Sequence, residues 1–247
     1  MTDNGSTDST RTILDSYARQ GRVFIIDEYG NNHDQAIWVT RMARLASTNF
    51  AADWVIHCDA DEFWLPSSGN LKTELSYLQS DANVLIADRY NFIPPAIDSE
   101  SSLPFYESQT IREKISRNSL GKRLPGKICH RCDSRFSISD GNHAVMLEGE
   151  ILDPVKSDSI DILHFPVRSY AQFERKIREG TEALRRNRRI SPSTGVTWQK
   201  IYDEYLVTGK LYEYYLSLRP NADKLKHLLQ EGTLIEDDRL KDALVMK

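Results

Sequence analysis

The sequence predicts an α/β fold in which a mostly parallel sheet is flanked by helices and followed by a helical C-terminal extension. Helical patterns alternate with short strand-like runs up to about residue 93, which is typical of parallel sheets covered by helices. After Ser169 the apolar residues return to helical spacing. We therefore expect a sheet domain over residues 1–168 and a helical extension over residues 169–247 that packs on it.

Each predicted element in the first half has its own local signal. Helices are predicted where apolar residues recur three and four apart, in residues 9–21, 34–46 and 71–79. Strands are predicted where short runs rich in β-branched residues stand between turn residues, in residues 22–29, 54–58 and 83–93. Asp8 and Asp34 are expected to cap the first two helices, because their side chains can accept hydrogen bonds from free N–H groups.

The middle of the chain has a different pattern. Residues 93–108 are rich in proline and serine and predict a long loop over a site. Short strands are predicted beyond it, in residues 127–131, 135–139, 143–147 and 160–167. In the extension, aromatic residues at near-helical spacing over residues 202–218 are expected to pack against the main domain.

Composition and charge exclude several classes of protein. The chain has 247 residues, 40% hydrophobic and 28% charged, and its net charge of −4 offers no overall attraction to nucleic acid. No stretch approaches the roughly 20 apolar residues of a membrane span, and the polar start of the chain is not expected to be a signal peptide. Three cysteines cannot all pair in disulfides, so we expect a cytoplasmic protein. From the net charge we expect no nucleic-acid partner.

A basic segment, RRNRR at residues 185–189, ends a predicted helix. Arginine at that position complements the helix dipole, so a solvated helix end is the simplest interpretation. The same charges leave open a peripheral contact with an acidic membrane surface or with a phosphate-bearing acceptor.

An acidic pair, Asp59 and Asp61, follows the predicted strand at residues 54–58. Ligands of parallel α/β sheets bind where the strands end, and two carboxylates one residue apart can reach one hard cation. Mg²⁺ and Mn²⁺ favour oxygen ligands and keep positions open for phosphate oxygens. Trp64, just after the acids, is the tryptophan expected to touch substrate. The alternative interpretation is that Asp59 caps a turn while Asp61 and Glu62 are solvated.

Four segments, taken in order, resemble the family 2 glycosyltransferases and their relatives. They are DNGSTDST at residues 3–10, ADWVIHCDADEF at 52–63, GNH at 141–143 and HFPVRSYAQFERK at 164–176. The resemblance implies a GT-A fold and the transfer of a sugar from a nucleoside-diphosphate sugar, with inversion, to a glycan, lipid or protein acceptor. It also implies Mg²⁺ or Mn²⁺ as the cofactor.

The resemblance assigns roles to residues that would bind the donor. It implies that Asp3 and Asn4 lie beside the base or ribose, where a carboxylate and an amide can form hydrogen bonds. Arg168 would add a positive charge for the diphosphate, since arginine makes multidentate contacts with phosphate oxygens.

The resemblance also implies a metal site. Asp59 and Asp61 would bind the metal and, through it, the diphosphate. His164 matches a late histidine that completes this metal or diphosphate shell in many such enzymes.

A catalytic base is expected between the acidic pair and the late histidine. Inverting transfer needs a carboxylate or imidazole within hydrogen-bond reach of the acceptor hydroxyl. We favour Asp140 and His143 in the SDGNH loop, because Gly141 allows substrate to approach the backbone closely. Glu148 and Glu150 lie in the same interval, and a plain polar turn between two strands is the alternative interpretation of the loop.

Two alternatives to an active transferase stay open. The resemblance implies a β-α unit before DNGSTD, whereas only Met1 and Thr2 precede Asp3, so the chain is expected to lack that unit. A truncated, non-catalytic fragment or binding module is the first alternative, because a sheet without a central strand has unpaired backbone groups. The second is a metal-dependent phosphohydrolase of the haloacid-dehalogenase type, which Phe63 disfavours by standing where that class needs Thr or Val.

Overall fold

A computed structural model describes residues 1–30, 33–78, 82–94, 103–118, 120–187 and 194–245. Its strands are β1 Thr2–Asp3, β2 Ile26–Asp27, β3 Trp54–Ile56, β4 Glu62–Pro66, β5 Val84–Asn91, β6 Ile111–Glu113, β7 Lys127–Arg131, β8 Ser137–Ile138, β9 Val145–Leu147, β10 Glu150–Ile151, β11 Val155–His164 and β12 Leu234–Glu236. Its helices are α1 Thr10–Arg19, α2 Gln35–Phe50, α3 Leu71–Ser76, α4 Phe105–Ser108, α5 Tyr170–Arg186, α6 Val196–Ile201, α7 Leu211–Ser217, α8 Ala222–Gln230 and α9 Arg239–Val245. A 3₁₀ turn covers Asp140–Asn142, and a π-helical turn covers Tyr202–Leu206.

The central sheet has five strands in the order β3-β7-β5-β11-β4. Strands β5 and β11 run parallel, whereas β7 is antiparallel to both β3 and β5, and β4 is antiparallel to β11. Strands β1 and β2 form a separate parallel pair. The α/β class is confirmed, but a mostly parallel sheet is not. A buried strand has the same apolar pattern in either direction, so the sequence pattern does not reveal how β7 and β4 run.

The register of the sheet brings polar residues to one edge. His164, the last residue of β11, stands opposite Glu62 on β4 and opposite Asn91 on β5. Lys127 begins β7 and pairs with Ala87 of β5. The carboxyl end of β11 therefore meets the start of β4, directly after the acidic pair.

The predicted helix starts have two outcomes. Before α1, Asp8 accepts a hydrogen bond from the backbone N–H of Thr10 at 3.0 Å. Before α2, Asp34 stands at the predicted cap position but forms no side-chain bond to the helix. Its Oδ1 instead accepts a hydrogen bond from the side-chain amide of Asn187 at 2.6 Å, because the end of α5 lies beside it.

Two apolar clusters pack around the central sheet. One contains Leu85, Ile162 and Trp64, and the other contains Val84, Ile128 and buried residues of α2. The side chain expected to touch substrate, Trp64, is only 9% exposed and belongs to the first cluster. Its position inside β4, where side chains alternate between faces, turns it toward the core, so that expectation is wrong.

The aromatic residues of the C-terminal extension pack mainly on α5, which is itself part of the extension, and not on the sheet domain as expected. Their cluster includes Tyr215, which is fully buried, Phe173 of α5, and Val167 from the expected sheet domain. The extension is not wholly helical, because β12 pairs antiparallel with β6. Its periodicity gave no sign of this strand, which is only three residues long.

Two predicted features lie partly outside the described residues. Of the loop predicted over residues 93–108, residues 95–102 are not described, while α4 forms its end. Of the basic segment, Arg188 and Arg189 are not described, and Arg185 pairs with Asp203 at 2.7 Å. Within the described ranges, no helix is both long and apolar enough to cross a membrane.

Candidate active site

The turn that carries the acidic pair is fixed to the edge of the sheet by backbone hydrogen bonds. The N–H of Glu62 donates to the carbonyl of Asp59 at 3.0 Å and closes the turn. The N–H of Phe165 donates to the carbonyl of Asp61 at 2.8 Å. Because Phe165 directly follows β11, this bond holds the turn beside His164.

The first acid belongs to a buried network that we call the inner cluster, made of Asp59, Glu62, Arg89 and Lys127. The ammonium of Lys127 lies 2.5 Å from Asp59 Oδ2 and 3.4 Å from Glu62 Oε1. Arg89 Nη1 lies 2.9 Å from the same oxygen of Glu62. The side chains of Lys127 and Glu62 are 2% and 0% exposed. Burial at this level requires paired charges, and here two cations face two carboxylates.

The other oxygen of Asp59 receives two amide donors. Asn142 Nδ2 and Gln35 Nε2 donate to Asp59 Oδ1 at 3.2 and 3.4 Å. The side chain of Asp59 remains 32% exposed. Since Oδ2 carries the lysine, Oδ1 is the oxygen of Asp59 that a ligand could reach by replacing an amide donor.

The second acid belongs to a more open group that we call the outer cluster, made of Asp61, His164 and Lys176. Lys176 Nζ lies 2.5 Å from Asp61 Oδ2, and His164 Nε2 lies 3.5 Å from the same oxygen. Burial of Asp61 would raise its pKa, but its polar partners in the outer cluster outweigh burial and lower the pKa. Asp61 is therefore a carboxylate at neutral pH.

The tautomer of His164 follows from its hydrogen bond with Asn91. His164 Nδ1 lies 2.6 Å from Asn91 Oδ1, while Asn91 Nδ2 lies 3.4 Å from the carboxylate of Glu113. The amide thus presents its oxygen to the ring, and Nδ1 carries the proton. Burial lowers the pKa of His164, so the ring is neutral and Nε2 presents a lone pair toward Asp61.

The residues of the outer cluster fit a divalent cation as a two-ligand site. Two atoms that bind one Mg²⁺ at about 2.0–2.1 Å lie about 3 Å apart, and Asp61 Oδ2 and His164 Nε2 are separated by 3.5 Å. Two acceptors that face each other at this distance repel unless a positive charge lies between or beside them. Among the described residues, no three His, Cys, Asp or Glu side chains meet in a metal-binding group. Phosphate and water would therefore supply the other ligands.

The predicted nucleoside-binding residues lie at the start of the chain. Asp3 is buried, accepts a hydrogen bond from Ser6 N at 3.0 Å and lies 3.5 Å from Arg11. A hydrogen bond from the Ser6 side chain is the main cause that lowers the pKa of Asp3, and the backbone bond adds to it. Asn4 follows it and is partly buried. The same segment reaches the outer cluster through Asp8, which pairs at 3.1 Å with Arg175, the neighbour of Lys176.

Arg168 stands between β11 and α5. Its guanidinium lies over the ring of Phe105 at 5.2 Å, and its backbone N–H donates to Gln172 at 3.0 Å. Within the described residues, no ion pair joins Arg168 to an acid of either cluster. Its positive charge therefore does not neutralise Asp59 or Asp61.

The SDGNH loop contacts the inner cluster through Asn142, which donates to Asp59. Asp140 Oδ1 accepts a hydrogen bond from the N–H of Ala36 at 3.2 Å, at the start of α2. His143 Nδ1 lies 2.8 Å from the carbonyl of Gly126 and so donates to it, which leaves Nε2 as an acceptor. Burial lowers the pKa of His143 to about 4. Gly141 has a φ of 73°, and a Cβ there would lie 2.7 Å from the ring of His143, so only glycine fits.

The residues at the site that were not predicted from the sequence include Gln35, Arg89, Asn91, Glu113, Lys127 and Lys176. A lone lysine in the buried strand KICHR was a usable signal for Lys127, because a buried ammonium needs an acid. Lys176 ends the HFPVRSYAQFERK segment. Burial raises the pKa of Glu113, a change that the sequence around it does not indicate.

The α/β fold places the acidic turn at the edge of the sheet, where ligands of such folds bind. The sequence profile of Glycosyl transferase family 2 matches residues 1–140, more than half of the chain, and the protein belongs to this family. The match confirms the predicted family, and family membership implies the GT-A fold and a nucleotide-sugar donor. A comparison with curated proteins found no match. The matched region includes both acids of the turn and ends before His143, His164 and Lys176.

Proposed function

We propose that the protein transfers a sugar, with inversion, from a nucleoside-diphosphate sugar to a hydroxyl of a glycan, lipid or protein acceptor, using Mg²⁺ or Mn²⁺. The single observation that carries this proposal is the pair of facing acceptors, Asp61 Oδ2 and His164 Nε2, at 3.5 Å. When bound there, the cation supplies positive charge that stabilises the departing diphosphate. The predicted cytoplasmic location and the absence of a nucleic-acid partner stay predictions.

The chain's own residues would position the donor along the sheet edge. Asp61 and His164 hold the cation, and Asn91 keeps the histidine in the tautomer that can bind it. Asp3 and Asn4 are proposed to bind the nucleoside, since Asp8 in the same segment is tied to α5 beside the outer cluster. Asp59, the second predicted metal ligand, would offer its Oδ1.

Arg168 is proposed to bind the diphosphate. Its guanidinium lies over the ring of Phe105 and, among the described residues, pairs with no acid, so it can donate hydrogen bonds to phosphate oxygens without first losing such a pair. An ordered cation of this kind costs less entropy to recruit than a freely moving side chain.

Three groups are candidates for the catalytic base. Asp140 and His143 are the residues predicted from the sequence, and His143 Nε2 is free to accept a proton. The low pKa of His143, about 4, makes it a weak base. Glu113 is the third candidate. Asn91 contacts both Glu113 and His164, so the carboxyl group of Glu113 lies close to the outer cluster. Burial raises the pKa of Glu113 toward the range of an efficient base.

Nucleotide binding tests the proposed donor site. Titrating UDP and GDP into the protein with Mn²⁺ should reveal cation-dependent binding of at least one nucleotide, and Asp61→Asn should weaken it at least about tenfold. Asp203→Asn is the matched control, because Asp203 is an exposed acid paired with Arg185 far along the chain. A folded wild-type protein that binds neither nucleotide would contradict the proposal and favour a non-catalytic module.

The catalytic base can be identified by measuring turnover and nucleotide affinity separately in variants of the three candidates. Among His143→Gln, Asp140→Asn and Glu113→Gln, the base variant should lose about 10²–10⁴-fold in turnover while keeping the affinity for nucleotide. Release of nucleoside diphosphate from a panel of donor sugars measures turnover. If all three variants keep wild-type turnover, none of these side chains is the base.

A further inference from the structure

The role of Lys176 extends the function proposed above and rests on it. We propose that Lys176 is the resident cation of the outer cluster, that a divalent cation displaces it from Asp61, and that its freed ammonium then binds the diphosphate of the donor. Lys176 would thus act twice, first as a competitor of the metal and then as a donor-binding residue.

The distances place Lys176 and the proposed metal on the same oxygen. Lys176 Nζ lies 2.5 Å from Asp61 Oδ2, and this oxygen is also the one nearest to His164 Nε2, at 3.5 Å. A metal bound by Asp61 and His164 would lie about 2 Å from Oδ2. An ammonium at its present position would then stand beside a doubly charged ion, and the repulsion between them favours its departure.

Lys176 is free to leave in a way that Lys127 is not. The side chain of Lys176 is 24% exposed and pairs with one acid, whereas that of Lys127 is 2% exposed and pairs with both Asp59 and Glu62. A buried ammonium with two carboxylate partners cannot move without leaving charges unpaired. The outer lysine is therefore the one that can change partners.

Packing keeps Lys176 close to the site after it leaves Asp61. Its ammonium lies 5.7 Å from the centre of the Trp198 ring, which attracts a cation through its π face. Trp198 itself lies against α5 where Gly180 leaves room, since a Cβ on Gly180 would be 2.6 Å from the indole. A short movement between the carboxylate, the ring and incoming phosphate oxygens is enough for the exchange.

The proposal predicts opposite changes in the affinities for two ligands. In Lys176→Met, calorimetric titration with Mn²⁺ alone should give at least about tenfold tighter binding than in the wild type. At saturating Mn²⁺, the same variant should bind UDP and GDP about tenfold more weakly, because the diphosphate has lost a cation. A role limited to folding would not tighten one ligand and weaken the other.

Two variants serve as controls. Arg178→Met removes a positive charge from the same helix, where Arg178 pairs with Glu174 at 2.7 Å, and should change either affinity by less than about twofold. Lys176→Arg keeps the charge and should keep the Mn²⁺ affinity near that of the wild type. Thermal unfolding of each variant verifies that it is folded.

The outcomes separate this inference from the proposed function. Unchanged or weaker Mn²⁺ binding by folded Lys176→Met overturns the inference, even if the wild type binds nucleotide in a cation-dependent way. Unchanged UDP and GDP affinity at saturating Mn²⁺ overturns the donor-binding half. Failure of the wild type to bind either nucleotide contradicts the proposed function instead, while the titration with Mn²⁺ alone still decides whether Lys176 competes with the metal.

Discussion

Asp59 and Asp61 stand only two positions apart in the sequence, yet the inner and outer clusters give them different surroundings. Asp59 meets a lysine that is 2% exposed and shared with Glu62, while Asp61 meets a lysine that is 24% exposed and a neutral imidazole. Lys127 and Glu62 of the inner cluster are enclosed, whereas Asp59 itself keeps 32% of its side chain exposed. Asp61 is 15% exposed, and its partners, Lys176 and His164, are more accessible than Lys127. One short acidic sequence therefore joins an acid held by a buried lysine to an acid held by more accessible groups.

The strongest test of this difference is the loss of each lysine in turn. Lys127→Met should lower the free energy of unfolding by about 3 kcal/mol, because it leaves Asp59 without its cation and the buried Glu62 with Arg89 alone. Lys176→Met should cost about 1 kcal/mol or less, because water reaches its pair. Urea denaturation measures both. Equal losses in the two variants would mean that the clusters do not differ in the proposed way.

The buried pair of His57 and His130 should make the folded protein less stable at low pH. His57 on the β3 side lies 3.0 Å from His130, Nε2 to Nε2, and burial, followed by the charges of His130 and Lys127, lowers the pKa of His57 to about 3. The ring is thus neutral in the folded protein, whereas it binds a proton near pH 6.5 when unfolded. Stability contributed by the neutral ring is therefore present above about pH 6.5 and is lost as the pH falls toward the folded pKa.

The size of this acid effect can be measured directly. From about pH 7.5 to about pH 5, His57 should reduce the free energy of unfolding by about 2 kcal/mol. His57→Gln keeps a donor for His130 and should remove about that much of the decrease, while histidines whose pKa values are also lowered, such as His143 and His164, keep the rest. A wild-type profile that does not change between these pH values would contradict the buried, neutral assignment.

A smaller effect distinguishes the two acids as ligands. Asp61→Asn should weaken binding of Mn²⁺ alone at least about tenfold, which corresponds to about 1.4 kcal/mol. Asp59→Asn should weaken it less, because Oδ2 of Asp59 is already held by Lys127 and only Oδ1 is available. Calorimetry on the two variants provides the comparison. A larger loss in Asp59→Asn would reverse this ranking of the two acids.

Local signals in the sequence predicted most elements but not how they are arranged. The runs that became β5 and β7, and the long amphipathic helix α5, could be recognised because strand and helix periods depend on neighbouring residues. The direction of β7 between β3 and β5 depends on pairing across the sheet, and no neighbouring residue encodes it. The same holds for β12, whose partner β6 lies far away in sequence.

The candidate site divides in the same way. The family motifs drew attention to Asp61 and His164, which the structure brings within 3.5 Å of each other. They did not predict that Lys127 and Lys176 would complete the two clusters. These lysines lie 68 and 115 positions from their acids, and a lysine on a strand or a helix usually faces water. Such pairs become visible only when the chain is folded.

The contacts of α5 have a consequence for any attempt to treat the protein as separable modules. Arg175 and Lys176 belong to the segment after residue 168, while their partners, Asp8 and Asp61, lie in the sheet domain. A chimera that joined this sheet domain to the extension of a relative would therefore take the lysine that pairs with Asp61 from the other parent. The junction of such a hybrid belongs after α5, so that α5 and its partners Asp8 and Asp61 come from the same protein.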